Sequence, residues 1–229
     1  MTPRVVAIDG AAGSGKSTLA RRLAAELGLP YVNTGAMYRA LTRAARREEV
    51  DVEDEEALVR LMETLDFTLS PKAPIAEPQR EPRQLWIDGA PPSDELESAE
   101  VEANVSAVAK HPAVRAAMRA AQRALGEEGS VMEGRDIGTA VFPDAPVKVF
   151  LIAEPQERAG RRVEERGSEE VAGALHERDR RDARVNPLVP PEDAVVIDTS
   201  DLDVDDTVRA ALALVAERAP ELLSGRSLQ

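Results

Sequence analysis

The stretch VVAIDGAAGSGKSTL, residues 5–19, decides the fold. Val5, Val6, Ala7 and Ile8 make a short apolar run rich in β-branched residues and stopped by Gly10, which reads as a buried strand. Leucines then recur at 19, 23 and 27 with Gly28 behind them, the pattern of a helix with a glycine stop. Between the two lies GAAGSGKS, residues 10–17: glycine, four residues, glycine, lysine, serine. A strand, a glycine loop and a helix in this order let backbone N–H groups converge on phosphate oxygens at a helix N-terminus. Lys16 would reach the outer phosphates of a nucleoside triphosphate, and the Ser17 hydroxyl would ligate the Mg2+ that bridges them. The plainer alternative is an ordinary flexible turn, which has no use for a lysine where the helix dipole disfavours a cation. Gly10, Ala11, Ala12, Gly13, Ser14, Gly15, Lys16, Ser17 and Thr18 are therefore the expected nucleoside-triphosphate-binding loop.

Outward from this loop, similar apolar runs at 130–132, 147–152 and 194–197 are separated by segments with helical periodicity. That rhythm predicts an α/β fold with a mostly parallel sheet flanked by helices. Residues 67–92 differ in character. Six prolines forbid a long helix there, and FTLS and QLWIDG can pair as short strands. A helix is expected from about Asp94, where Asp94 and Glu97 have capping-box spacing, and another after Pro112. The expected organisation is a core of residues 1–65 and 126–229 carrying a subdomain inserted at 66–125, with a last helix within 202–223 and a frayed tail at 224–229.

The chain has 229 residues, a net charge of −13, no cysteine and two histidines. There is no disulfide framework or thiolate chemistry, and a histidine-rich metal site is not expected. The acidic balance gives no field for polymeric nucleic acid or an anionic membrane, and no apolar stretch approaches the roughly 18 residues of a membrane span. The expected setting is the cytoplasm. Of the 29 basic side chains only Lys16, Lys72, Lys110 and Lys148 are lysines, and none follows an asparagine, so the N-K-x-D sequence of guanine-binding switches is absent.

Arginine position narrows the chemistry. Arg158, Arg162 and Arg166 are interleaved with glutamates and read as an ion-paired, solvated helix face. Arg178, Arg181 and Arg184 repeat every three residues, a stripe whose self-repulsion favours a phosphate-closing lid. TGAMYR (34–39) and EGRDIGT (133–139) stand just after strands, and residues there converge on one crevice in an open α/β sheet. Arg39 and Arg135 would then meet the loop that holds the first phosphates, as expected for a phosphotransferase with an anionic acceptor.

These motifs, with NVSAVAKHPAVR (104–115), FPDAPVK (142–148), ERDRRD (177–182) and PLVPPEDAVVIDT (187–199), cover nearly the whole chain, and it resembles the bacterial cytidylate kinase family of P-loop nucleoside monophosphate kinases. The resemblance implies ATP-dependent phosphorylation of CMP or dCMP to CDP or dCDP by a P-loop kinase core, with an inserted monophosphate-binding subdomain and a short helical lid near 158–186. It implies that Ser106, Arg115 and Asp136 read the cytosine, that Arg39 and Arg135 hold the acceptor phosphate beside Thr34, and that Arg178 and Asp182 hold the sugar. Lys16, Arg135, Arg178 and Arg184 would be catalytic, Mg2+ would accompany ATP, and the enzyme would act as a monomer. Tyr38 either joins the core or lines the nucleotide site. Asn33 and Glu133 stand where the family more often has aspartate, which leaves open the part of Glu133 in holding magnesium. A related kinase with another acceptor, such as UMP or a small metabolite, and a nucleotide-gated binding protein are the alternatives.

Overall fold

The computed structural model describes residues 2–72, 81–166 and 188–223. Its centre is strand β1 (Val5–Gly10), buried along its whole length. β1 is flanked in parallel by β5 (Ser130–Gly134) on one side and β6 (Val147–Ile152) on the other. β2 (Tyr31–Asn33) and β7 (Val195–Asp198) complete a five-stranded parallel sheet in the order β2-β5-β1-β6-β7. A strand covered on both faces needs apolar residues at odd and even positions alike, which explains the unbroken Val-Val-Ala-Ile run.

The period of two sorts that run between two cores. Val5 and Ala7 face α2 (Thr34–Arg47), α3 (Glu55–Met62), α4 (Ala99–Ala109) and α5 (Pro112–Gly126), through Met37, Leu41, Leu58, Val108 and Met118. Val6 and Ile8 face α1 (Lys16–Leu27) and α7 (Val204–Arg218), through Leu19, Leu23, Leu214 and Val215. A sixth helix, α6 (Pro155–Arg166), follows β6. The helices on each face are what lets a purely parallel sheet exist in water.

The proline-rich segment holds β3 (Phe67–Leu69) and β4 (Leu85–Ile87), an antiparallel pair as its sequence suggests. The helix expected from Asp94 begins later. Asp94–Glu97 is a single 3-10 turn, and Ser98 caps α4 by accepting from the Val101 amide at 3.4 Å. Asp94 and Glu97 have the right spacing, but Ser98 breaks from the helical backbone between the turn and α4, so the cap falls there. Pro112 is indeed in the first turn of α5. At the C-terminus Pro220 separates α7 from a short 3-10 turn, Pro220–Leu222, because proline carries no amide hydrogen to continue the ladder. The expected tail at 224–229 lies outside the described residues.

Candidate active site

Strand order places the chemistry. The chain leaves β1, crosses to β2, returns to β5 and then passes to β6 on the other side, so the order reverses at β1 and a crevice opens beyond its carboxyl end. The P-loop follows β1, Asn33 ends β2 and Thr34 follows it, and Glu133 to Asp136 end and follow β5. One continuous cleft is lined by Gly13, Gly15, Lys16, Ser17, Thr34, Tyr38, Arg39, Ser106, Arg115, Glu133, Arg135 and Asp136, with Ala12 and Thr18 also on its wall.

Gly13 and Gly15 both have positive φ, 73° and 88°, which L side chains rarely adopt. At Gly13 a Cβ would also lie 2.7 Å from the Arg158 carbonyl oxygen of α6. Gly10, Ala11 and Ser14 are off the cleft wall and shape the loop instead: the buried Ser14 hydroxyl donates to the Ala11 carbonyl at 2.9 Å, and Lys16 Nζ donates to the same oxygen at 2.5 Å. The first turn of α1 has amides without intrahelical acceptors, so loop and dipole both present positive potential to the cleft.

At the end of β5, Glu133 is buried and shared. Tyr31 donates its hydroxyl to Oε1 at 2.5 Å, and Ser17 donates to Oε2 at 2.9 Å. Burial, and then the Glu133 charge, push the Tyr31 hydroxyl well above its ordinary pKa, so it stays a donor. The guanidinium of Arg21 lies 5.6 Å from the centre of the Tyr31 ring, within cation–π range. The Thr34 hydroxyl donates to the Glu133 carbonyl at 2.7 Å, joining β2 to β5. Gly134 makes room for this: a Cβ there would lie 2.6 Å from Thr34 Oγ1 and 2.7 Å from Ile137 Cδ1.

Asp9 was not singled out in the sequence, where an acid ending an apolar run reads only as a strand stop. Its carboxylate is buried and accepts the amides of Ile137 and Gly138, both at 2.8 Å, fastening the loop after β5 to β1. Burial raises its pKa to about 6, although those two amides lower it. The signal was long range, since its partners are 128 and 129 residues away.

At the far end of the cleft Arg115 and Asp136 form an ion pair with both side chains largely buried, Arg115 Nη2 donating to Asp136 Oδ2 at 2.8 Å. Arg119, one turn along α5, donates to the same oxygen at 2.8 Å. It too was missed in the sequence, because an arginine at i+4 from another on a helix looks like surface. Ser106 is buried on α4. Tyr38 does both things open to it, lining the cleft and packing against the core, and burial with the Asp136 charge pushes its hydroxyl up to about 12. Arg39 is buried on α2, its guanidinium 3.7 Å from Glu97.

Arg158, read from sequence as part of a solvated face, is half-buried instead: Nη1 donates to the Ala12 carbonyl of the P-loop at 3.1 Å. Arg161 donates to the hydroxyl and carbonyl of Thr199, whose hydroxyl reaches the Ser14 carbonyl at 3.2 Å. The interleaved glutamates conceal this, because the P-loop partner is 146 residues away in sequence. Arg178, Asp182 and Arg184, with Arg181 and most of the expected 158–186 lid, lie outside the described residues.

The family model described as cytidylate kinase matches residues 6–217. A cytidylate kinase of Pelotomaculum thermopropionicum is 43% identical over 92% of this chain and 95% of its own length. A bifunctional pantoate ligase/cytidylate kinase of Prochlorococcus marinus is 41% identical over 95% of this chain, which spans only 46% of that longer protein. Among solved structures, a gluconokinase of Sinorhizobium meliloti 1021 aligns with a TM-score of 0.46 at 18% identity over 99% of this chain and 98% of that one. With its parallel sheet, its P-loop after β1 and a family match running nearly end to end, the chain belongs to the cytidylate kinase family, whose members are ATP-dependent phosphotransferases.

Proposed function

We propose that this protein transfers the γ-phosphoryl group of ATP to the phosphate of CMP or dCMP, giving CDP or dCDP and ADP. The observation that carries the proposal is that P-loop residues, Arg39, Arg135, the Arg115–Asp136 pair and Ser106 line one continuous cleft. A phosphate donor at one end and a base at the other bring the acceptor phosphate opposite the γ-phosphate, where a bound pair reacts far faster than free partners.

Lys16 and the amides of residues 13–18 hold the ATP phosphates. Thr34, Arg39 and Arg135 hold the acceptor phosphate, with Tyr38 beside them. Its oxygen is largely anionic at neutral pH, so no strong general base is needed, and charge compensation by Lys16, Arg135, Arg178 and Arg184 lowers the barrier. Asp136 accepts the exocyclic amino group of cytosine, while Arg115 and Ser106 donate to its ring acceptors. Arg178 and Asp182 take the sugar.

The oxygen donors fit Mg2+. The Ser17 hydroxyl faces the cleft, and Glu133 beside it offers a hard carboxylate. Among the described residues no group of three or more His, Cys, Asp or Glu side chains could hold a metal. Ser17 would hold the ion together with the nucleotide phosphates, with the Glu133 carboxylate beside it. Such an ion would supply charge neutralisation on the phosphates.

The proposal includes the division into a core of 1–65 and 126–229 and a monophosphate-binding subdomain of 66–125, a lid at about 158–186, and a monomer working in the cytoplasm on small nucleotides. No helix among the described residues is long and apolar enough to cross a membrane. The test is ADP release with CMP, dCMP, UMP, AMP or dTMP as acceptor. Strong stimulation by CMP and dCMP is expected. Stimulation by a different acceptor, or by none, overturns the assignment.

A further inference from the structure

α5 carries arginines at 115, 119 and 123, four residues apart and so on one face. All three grip one segment across the helix. Arg115 and Arg119 each place Nη2 2.8 Å from Asp136 Oδ2, and Arg123 donates to the carbonyls of Val141 and Ala140 at 2.8 and 2.6 Å. The two upper arginines are not equivalent. Arg115 and Asp136 line the cleft, and Arg119 does not.

The hydrogen-bond pattern at the carboxylate is unusual. A guanidinium facing a carboxylate commonly engages both oxygens with two parallel bonds. Here two guanidinium groups crowd onto Oδ2, and no bond to Oδ1 is seen among the described residues. Arg119 Nε is buried without a hydrogen-bond partner. A donor left in that state costs stability, so the side chain is held by its bond to Asp136 at the expense of its own other contacts.

We infer that Arg119 is a positioning residue that sets acceptor specificity: it keeps Asp136 fixed through Oδ2 when Arg115 turns to the substrate, and leaves Oδ1 to accept an exocyclic amino group. This rests on the reading that Asp136 meets the base of the acceptor. Arg115 Nη2 would have to divide its two N–H groups between the carboxylate and the base, and a second cation on Asp136 Oδ2 relieves that competition. A carboxylate held in this way accepts from an amino group and repels a carbonyl oxygen, which separates cytosine from uracil.

The test uses steady-state kinetics of the full chain and of Arg119→Leu, Arg119→Gln, Arg119→Lys and Asp136→Ala, each with CMP and UMP. Arg119→Leu is expected to raise KM for CMP about tenfold and to cut the CMP-over-UMP ratio of kcat/KM by a similar factor, while kcat at saturating CMP and KM for ATP stay within about twofold. Arg119→Lys should recover most of the KM loss. If Arg119→Leu does not fold, as judged by thermal melting, the Gln and Lys variants supply the same comparison. An unchanged KM for CMP, a parallel fall in kcat and in ATP affinity, or a Lys variant no better than Leu or Gln overturns the inference. If Asp136→Ala itself leaves CMP preference intact, the base-reading assignment falls. If Asp136→Ala abolishes that preference while the Arg119 variants keep it, only the role of Arg119 falls.

Discussion

Two charged residues sit where folding alone would not put them. Lys16 is the first residue of α1, where the helix dipole opposes a cation by a few tenths of a kcal/mol up to about 1. Lys16→Ala is therefore expected to melt at the same temperature as the parent or slightly higher, while kcat falls by about a thousandfold or more; near-normal turnover would remove the P-loop lysine from the mechanism. Asp9 is the second. Its pKa of about 6 lies above the ordinary value of 3.8, so the folded protein holds this proton more tightly than the unfolded chain does. Its contribution to stability is complete below about pH 4 and is lost as pH rises through about 6, in all about 3 kcal/mol. Denaturant melts between pH 4 and 7 should show Asp9→Asn lacking that decline, and identical slopes for variant and parent would contradict it. Tyr31→Phe should cost about 1–3 kcal/mol in the same assay, because Glu133 Oε1 is left buried without its donor.

At the scale of elements, sequence reading succeeds where the signal is local. The strand–loop–helix unit, the paired strands around the prolines and the first turn of α5 each follow from a few adjacent residues and appear as expected. Where a role depends on partners distant in sequence, local pattern misleads. Arg119 and Asp9 act on the segment after β5 and Arg158 on the P-loop, contacts that no adjacent residues announce. Capping shows the same split. Asn33 caps α2 by accepting the Ala36 amide at 3.0 Å, at the point where β2 delivers Thr34 to the cleft. Asn33→Ala is expected to lose about 1 kcal/mol, whereas Asn33→Asp keeps the cap and gains a few tenths from the helix dipole. Chemical denaturation of the two variants checks the order.

For the molecule as a whole, a net charge of −13 and a preference for polyanionic ligands are compatible because charge is distributed unevenly. Lys16, Arg39, Arg115 and Arg135 line one cleft, and acidic residues populate the outer helices, as at Glu55, Glu56, Asp205 and Asp206. A bisubstrate analogue joining the two nucleotides should occupy both ends of that cleft. At a hundredfold excess over its Kd it should add about 3 kcal/mol of stability and raise Tm by roughly 5–10 °C. At equal molar concentration, a shift no larger than that given by ATP alone would place the acceptor elsewhere. The parallel sheet, its flanking helices and the P-loop end of this cleft were legible in sequence, because strand ends in such sheets share one edge. The pairing of Arg115 with Asp136 was not, since it is set by how α5 lies across the segment after β5.

Gly134 has a practical consequence for anyone redesigning the acceptor range. Its Cα lies beside Thr34 Oγ1 and the Ile137 side chain with no space for one more carbon. Thr34 holds the end of β2 to β5, and Ile137 supplies an amide to Asp9, so a single methyl group there would strain both ties at once. A combinatorial library can diversify the wall around Val105, Ser106 and Ala109, yet position 134 is best left unvaried. Clones with any larger residue there should be depleted by a screen for folded protein before any selection for activity is applied.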